Sequence, residues 1–199
     1  MKKLMKNTLV IVALFTALLA NANAPLNNLN DARKTTLSLD NVKQGNILLI
    51  KNNYDVVIYK EKIETSGNYI KGFDLSELPK GDYFFELNKD SEIKIIPFHV
   101  SNNLVAYKTG KESTIFKPSI KSIDNKVYIS KLSLNQEPLD INVYYEDAQG
   151  DDFNLIYSET ITNDSKNIGR VLSLDGRLEG TYKIVTKTEG RTFVDYVQF

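Results

Sequence analysis

Apolar and polar residues alternate along most of the chain after its first 22 residues. Tyr83, Phe85 and Leu87 share one face of an extended segment, while Phe84 and Glu86 share the other. A period of two is typical of a β-strand with one buried face. Similar short runs, separated by Gly, Asn, Asp and Pro, occur at residues 37–39, 47–50, 56–59, 70–75, 93–100, 139–145, 153–157, 168–174 and 192–199. Because none of this part of the sequence has sustained helical spacing, the pattern predicts an all-β fold.

The segment GFDLSELPKGDYFFEL, residues 72–87, predicts a strand, a turn and a second strand. Pro79 restricts φ at the turn, and Gly81 is expected to supply conformational freedom there. The segment is therefore interpreted first as a folding element.

Three pairs of segments indicate an internal duplication. They are TLSLD at 36–40 with KLSLN at 131–135, YKEKI at 59–63 with YSETI at 157–161, and LPKGDYFFEL at 78–87 with RLEGTYKIVT at 177–186. The offset grows from 95 to 98 to 99 residues. Small loop insertions produce such a drift, because loops tolerate changes of length that strands do not. The alternative is that unrelated β segments look alike through shared composition.

The duplication and the many short strands predict two tandem small immunoglobulin-like β-sandwiches after an N-terminal signal peptide. The predicted divisions are a signal peptide at 1–22, a first sandwich at 31–100, a junction with possible edge strands at 101–126, and a second sandwich at 127–199.

Two segments resemble the C-terminal sorting domain of type IX secretion cargo. They are VVIYKEKIETSGNYIKGFDLSELPKGDYFFEL and LIYSETITNDSKNIGRVLSLDGRLEGTYKIVTKTEGRTFVDYVQF, within residues 56–100 and 153–199. The resemblance implies a small β-sandwich that directs cargo across the outer membrane and is cleaved on arrival. It also implies an exported setting.

The N-terminus has the features of a secretory signal peptide. Three lysines within the first six residues precede an apolar run from Leu9 to Leu19, and small residues follow it. Ala20 and Ala22 predict cleavage after Ala22, so the mature chain would begin at Asn23. A membrane anchor is the alternative, but the run has about half of the ~20 residues that span a bilayer. We therefore expect a secreted protein in the periplasm, at the cell surface or outside the cell, with no transmembrane segment after signal cleavage.

The composition argues against some kinds of binding site and some kinds of partner. The chain has no Cys, so no disulfide or thiol-based zinc site is available. After signal removal, 22 basic side chains face 25 acidic ones, interspersed without long runs of one sign. Nucleic acid is therefore not an expected partner, because phosphate binding requires a basic stripe.

Two of the residue types that commonly act in catalysis are scarce in the sequence, which has one His and no Cys. His99, the sole histidine, lies in the predicted strand IIPFHV, and Gln198 occupies the corresponding place in the second copy. A triad or a histidine-based metal site needs a partner that orients the ring. An ordinary polar strand position is the favoured interpretation of His99.

Carboxylates cluster in EDAQGDD, where Glu146, Asp147, Asp151 and Asp152 surround a glycine. Such a loop could offer oxygen ligands to calcium, but its spacing is not that of an EF-hand. A solvated hairpin loop is the favoured interpretation, and no carboxylate pair suited to a glycosidase stands out. We predict no catalytic, cofactor-binding or metal-binding residue.

The eleven tyrosines raise the possibility of a sugar-stacking face. If Ile141, Val143 and Tyr145 face inward, Tyr144 faces outward. The sequence as a whole predicts an exported, non-enzymatic structural or binding module without cofactors, which contacts a protein or another component of the cell envelope. The alternatives are a type IX sorting domain and a carbohydrate-binding module.

Overall fold

The structure is a computed structural model that describes residues 29–147, 152–162, 165–174 and 179–199. The predicted signal peptide lies outside these residues. Sixteen strands follow one another within them: β1 Leu29–Asp31, β2 Thr35–Val42, β3 Ile47–Asn52, β4 Val57–Lys62, β5 Gly67–Phe73, β6 Gly81–Asn88, β7 Glu92–Ser101, β8 Leu104–Tyr107, β9 Ser113–Phe116, β10 Ser119–Ile123, β11 Lys126–Leu132, β12 Leu139–Asp147, β13 Asn154–Ile161, β14 Asn167–Ser173, β15 Gly180–Thr188 and β16 Arg191–Gln198. In these ranges the only helix is a short 3₁₀ turn, Ala32–Lys34. No helix of the described chain is long and apolar enough to cross a membrane.

Strands β1–β9 form the first sandwich. One antiparallel sheet has the order β1-β8-β7-β6-β3-β4, with β9 also paired to β7, and β2 pairs with β5 in a second sheet. Side chains from both sheets meet in one core, where the Phe73 ring lies 5.3 Å from that of Phe85. Phe85 in turn lies 4.8 Å from Phe98. Aromatic side chains thus supply much of the apolar surface that this small core buries.

Strands β10–β16 form the second sandwich. A sheet of order β13-β12-β15-β16 faces one of order β10-β11-β14. Its core is mainly aliphatic and includes Val127, Ile129, Leu139, Ile141, Val143 and Ile184, with Tyr182 at one end. The predicted all-β fold built from antiparallel β-sandwiches is confirmed. The predicted domain boundaries stay predictions; within 101–126, β8 and β9 pair with β7, and β10 pairs with β11.

The predicted face of β6 is confirmed, since Tyr83, Phe85 and Leu87 are all buried. The opposite face of β6 is not fully exposed to solvent, because Glu86 on that face is buried as well. Its carboxylate is covered by Arg191 from the hairpin between β15 and β16, a partner 105 residues away.

The turn before β6 is held by a side chain. The Tyr83 hydroxyl donates to the carbonyl oxygen of Pro79 at 2.8 Å. The expectation for Gly81 was wrong: it begins β6 without a positive φ, and a Cβ there would lie 3.7 Å from the Tyr83 ring. The turn therefore requires no special backbone freedom at Gly81.

A cluster of four charges joins the two sandwiches. Arg191 donates to the Glu86 carboxylate at 2.6 Å and to Asp55 at 3.3 Å. Lys51 Nζ lies 3.1 Å from oxygens of the same two carboxylates. Burial opposes ionisation of Asp55, but hydrogen bonds and charges from Lys51 and Arg191 keep its pKa below the usual value. The four charges compensate one another, so Lys51 and Glu86 can be buried.

Asp195 is a carboxylate on the core side of β16. It pairs in register with the fully buried Ile184, and burial raises its pKa above the ordinary value of 3.8. Because β16 is the outer strand of its sheet, an inward-facing charge disfavours pairing with another chain.

Replacement of Asp195 with Asn should stabilise the protein at neutral pH. A carboxyl whose pKa is raised in the folded state favours folding most below its unfolded pKa and loses that contribution as pH rises. The difference between variant and wild type should therefore shrink toward zero below about pH 3.8. Urea unfolding measured across pH 3–8 tests this, and an equal difference at every pH would contradict it.

Candidate functional site

His99 lies on β7 beside an acidic and a basic side chain. Its Nδ1 is 2.6 Å from an Asp82 carboxylate oxygen, and Lys108 Nζ is 2.9 Å from the same oxygen. Hydrogen bonds from Lys108 and His99 lower the pKa of Asp82. All three side chains are at least partly exposed, and the group contains no Ser, Thr or Cys that His99 could activate.

The acidic loop is only partly described. Glu146 and Asp147 end β12, Asp152 precedes β13, and Asp151 lies outside the described residues. Across the described ranges, no group of three or more His, Asp or Glu side chains is arranged to hold a metal ion.

The outward direction expected for Tyr144 agrees with the structure. Ile141 and Val143 are fully buried, while the Tyr145 ring packs on Tyr182 at 5.0 Å. Tyr144 lies on the opposite face of the sheet with Lys183, whose Nζ is 5.2 Å from the ring centroid.

Two further rings extend this outer face. Lys183 Nζ also lies 5.1 Å from the Phe153 ring, and Phe153 contacts Tyr196 with centroids 6.0 Å apart. The structure therefore groups three aromatic side chains where the sequence indicated a single exposed one.

The most distinctive feature is a pair of equivalent strand edges, one in each sandwich. We call β4 edge 1 and β13 edge 2. Each is the last strand of its larger sheet, and within the described residues no strand pairs with its outer side. Edge strands present backbone donors and acceptors that can pair with another chain. Both edges also begin with exposed apolar residues, Val57 and Ile58 in edge 1 and Leu155 and Ile156 in edge 2.

A β-bulge occurs at the same place in both edges. In edge 1, Ile50 pairs with Tyr59 and Lys51 pairs with Val57, so Ile58 is the extra residue. In edge 2 the extra residue is Ile156. A bulge redirects a side chain locally. The two isoleucines are 44% and 47% exposed, and each lines a groove between the sheets of its sandwich.

The two grooves are similar in size, and apolar side chains predominate in both. Groove 1 has a volume of about 390 Å³, and its apolar lining is Ile50, Ile58, Tyr59, Phe73, Leu75 and Leu78. Lys71, Asp74 and Glu77 also line it. Groove 2 has a volume of about 360 Å³ and is lined mainly by Val143, Ile156, Tyr157, Val171, Leu172 and Leu174. Each groove thus offers mainly apolar surface beside an unpaired strand edge.

A polar cluster, which we call the latch, lies at groove 1 and consists of Tyr59, Glu61, Tyr69 and Lys71. The Tyr59 hydroxyl donates to Glu61 at 2.6 Å, and Lys71 of the facing sheet donates to the same carboxylate at 2.7 Å. The Tyr69 hydroxyl adds a third bond at 3.0 Å. Burial opposes ionisation of Glu61, but these hydrogen bonds outweigh burial and lower its pKa.

The second sandwich repeats the latch. The Tyr157 hydroxyl donates to Glu159 at 2.6 Å, and Arg170 Nε donates to the same carboxylate at 2.7 Å. The hydrogen bond from Tyr157 is the main cause of a lowered pKa at Glu159, and Arg170 lowers it further. Arg170 stands 99 residues after Lys71, so a cation of the same role occupies equivalent places.

The internal repeat is the sequence signal that marks these edges. The matched segments YKEKI and YSETI supply the Tyr and the Glu of each latch. The cation comes from a different sheet, and no local spacing could assign it.

Replacement of Glu61 with Gln should cost about 1–2 kcal/mol of unfolding free energy, because it removes an ionised acceptor shared by three donors. Since the pKa of Glu61 is lowered, its contribution should be lost as pH falls below about 4.5. Replacement of the exposed Glu64 with Gln is the matched control and should change stability by less than about 0.5 kcal/mol. Equal effects of the two substitutions in urea unfolding would show that the latch contributes nothing.

Comparisons with known proteins do not assign a family. No protein-family model matches the chain, and no curated protein matches it. One solved structure that matches is described as "Biofilm associated protein - BSP domain", with 15% sequence identity and a TM-score of 0.26. The match covers 84% of this chain, which spans 27% of the length of that structure.

Proposed function

We propose that this protein is an exported, non-enzymatic contact module that binds a protein of the cell envelope through edge 1 and edge 2. The observation that carries the proposal is the duplicated edge. Both sandwiches pair an open strand with an apolar groove, and both place a bulged isoleucine at the start of that groove.

Strand addition is the mode of binding that fits this geometry. An incoming extended segment gains main-chain hydrogen bonds from the edge, and side-chain pockets beside the edge give specificity. The grooves provide such pockets. Exposed Val57 and Leu155 add apolar surface at equivalent positions.

Protection of another outer strand, β16, supports the choice of edges. β16 lies at the opposite side of the sheet that contains edge 2, and it carries the inward-facing Asp195. Such a charge disfavours pairing. Glu61 and Glu159 of the two edges also face inward, but each is bonded to a cation of the facing sheet. Edge 2 has neutral, exposed Ser158 and Thr160 along its outer face instead.

Photocrosslinking in intact cells tests the proposal. A benzophenone amino acid would replace Ile58 or Ile156 in the full-length chain, and Val194 on β16 is the matched control because it is also apolar and 47% exposed. We expect discrete adducts from the two edge positions and none from position 194. Adducts of equal yield at all three positions, or at none, would contradict binding through the edges.

Export is tested by the intact mass of the native protein from periplasm, outer membrane and culture medium. The proposal expects a chain from Asn23 to Phe199. A surface form that lacks its last ~70 residues would instead favour the type IX sorting alternative. Fusion of residues 127–199 to a reporter with its own signal peptide provides a second test of that alternative, which requires the reporter to leave the periplasm.

Carbohydrate binding is a second candidate function, supported by the grouping of Tyr144, Phe153 and Tyr196 on one open face. Aromatic rings offer large amphipathic contact surfaces. Replacement of Tyr144 with Ala should then abolish co-sedimentation with insoluble polysaccharides such as cellulose or chitin. Tyr54, 81% exposed and located elsewhere, is the control. Absence of co-sedimentation by the wild type would contradict this candidate.

A further inference from the structure

We propose that edge 1 selects an acidic extended segment, in which apolar residues alternate with Asp or Glu, whereas edge 2 does not select for charge. This inference rests on the proposed function, because it assigns partner chemistry to one of the two edges. It comes from a difference between two otherwise equivalent sites.

The difference is a pair of lysines on edge 1. Lys60 and Lys62 are both exposed and pair in register with Leu49 and Ile47, so they share the outer face of the sheet. Neither takes part in any of the ion pairs found among the described residues. The third lysine nearby, Lys71, is neutralised by Glu61. Edge 1 therefore presents two uncompensated positive charges at alternate positions.

The corresponding positions of edge 2 are neutral and internally satisfied. Ser158 donates to Asn142 at 2.7 Å, and Thr160 donates to Asp140 at 2.7 Å. Their hydroxyls already have partners within the sheet. Edge 2 thus shares the bulge, groove and latch but lacks the charges, which makes it a natural comparison.

An added strand would bring its own side chains opposite these positions. Oppositely charged residues directly across two strands stabilise the pair by roughly 0.2–1 kcal/mol, and like charges destabilise it. Beyond the lysines, an incoming segment meets Val57 and the bulged Ile58, which favour apolar residues. The complementary segment is therefore both acidic and apolar in alternation.

A different role for Lys60 and Lys62 is protection of the edge, because lysines on edge strands discourage self-association. The two roles predict different behaviour. Recruitment requires affinity for an acidic strand. Protection requires instead that the protein self-associate when the lysines are removed, with no affinity for such a strand.

Fluorescence anisotropy with the mature chain distinguishes these roles. The probes are labelled peptides of about eight residues that alternate Val with Glu, Val with Lys, or Val with Ser, a length suited to one strand. At low ionic strength we expect the Val–Glu probe to bind at least about fivefold more tightly than the Val–Lys probe. Salt at about 0.5 M should reduce this preference, because exposed charges are then screened.

Two double variants test whether the preference for the Val–Glu probe comes from Lys60 and Lys62. Lys60→Glu with Lys62→Glu should reverse the preference at edge 1, and Ser158→Lys with Thr160→Lys should give edge 2 the same preference for the Val–Glu probe. Thermal melting of each variant confirms that it is folded. All four positions are exposed, so neither pair of substitutions disturbs a buried residue.

The outcomes separate this inference from the proposed function. Equal binding of the three probes, sensitive to Ile58→Lys, would overturn selection for acidic segments but leave binding at the edges in place. No binding of any probe, together with self-association of a Lys60→Ser, Lys62→Ser variant, would overturn the inference in favour of protection. Loss of edge-specific crosslinks in cells would overturn the proposed function itself.

Discussion

Replacement of Glu86 with Ala should destabilise the protein by about 3–5 kcal/mol, which is the range for removal of one partner from a buried ion pair. Glu86 accepts hydrogen bonds from Lys51 and Arg191, and the side chains of Lys51 and Glu86 are 8% and 4% exposed. Without the carboxylate, Asp55 alone faces two cations. One positive charge would then remain buried without compensation.

Urea unfolding of the mature protein measures this loss. The matched control is Lys43→Ala, which removes an ion pair with Asp90 whose side chains are 73% and 78% exposed. An exposed pair contributes about 0–1 kcal/mol. A loss for Glu86→Ala no greater than that for Lys43→Ala would show that the cluster is not a buried, coupled unit.

The Glu86 variant should also loosen the attachment between the sandwiches. Arg191, Glu86 and Asp55 connect the β15–β16 hairpin to the first sandwich. Small-angle scattering should therefore show a wider distribution of shapes in the variant, while circular dichroism retains its β signal. An unchanged scattering profile would indicate that other contacts fix the arrangement.

Replacement of Gly180 with Ala should destabilise the second sandwich by about 3 kcal/mol, at the upper end of the usual cost of overpacking. A Cβ at position 180 would lie 2.4 Å from the carbonyl oxygen of Glu146 and 2.8 Å from the Tyr145 ring. The nearest obstacle is backbone, which cannot rotate away as a side chain can. β12 and β15 would have to separate.

Gly81 is the matched control, because it stands at the equivalent place of the first sandwich, 99 residues earlier. A Cβ there would meet nothing closer than 3.7 Å, so Gly81→Ala should be nearly neutral. Thermal unfolding of the two variants under the same conditions provides the measurement. A similar loss of stability in both would contradict a close backbone approach specific to Gly180.

Local pattern predicted the strands well because alternation is a direct consequence of a strand having two faces. The buried face of β6 and the outward direction of Tyr144 both follow from it. The burial of Glu86 does not, because this polar residue on the expected solvent face is paired with Lys51 and covered by Arg191 from a distant hairpin. The role of Gly81 was also misassigned, since Gly signals turns in general but here begins a strand.

Only part of the candidate site could be predicted from the sequence. The matched YKEKI and YSETI segments contained its tyrosines and carboxylates, and the same comparison shows Lys60 and Lys62 against Ser158 and Thr160. Whether these strands lie at an edge depends on sheet order, which is set by long-range pairing. The bulges at Ile58 and Ile156 likewise follow from register with β3 and β12.

The all-β class, the periodic core and the correspondence between the two copies follow from the sequence alone, because each depends on side-chain type at short or fixed separation. Three features depend instead on tertiary contacts. They are the strands that remain open, the reach of Lys71 and Arg170 to carboxylates on a facing sheet, and the burial of Glu86 by Arg191. These features arise from contacts between segments far apart in the chain. Their energies depend on burial and geometry that no local pattern encodes.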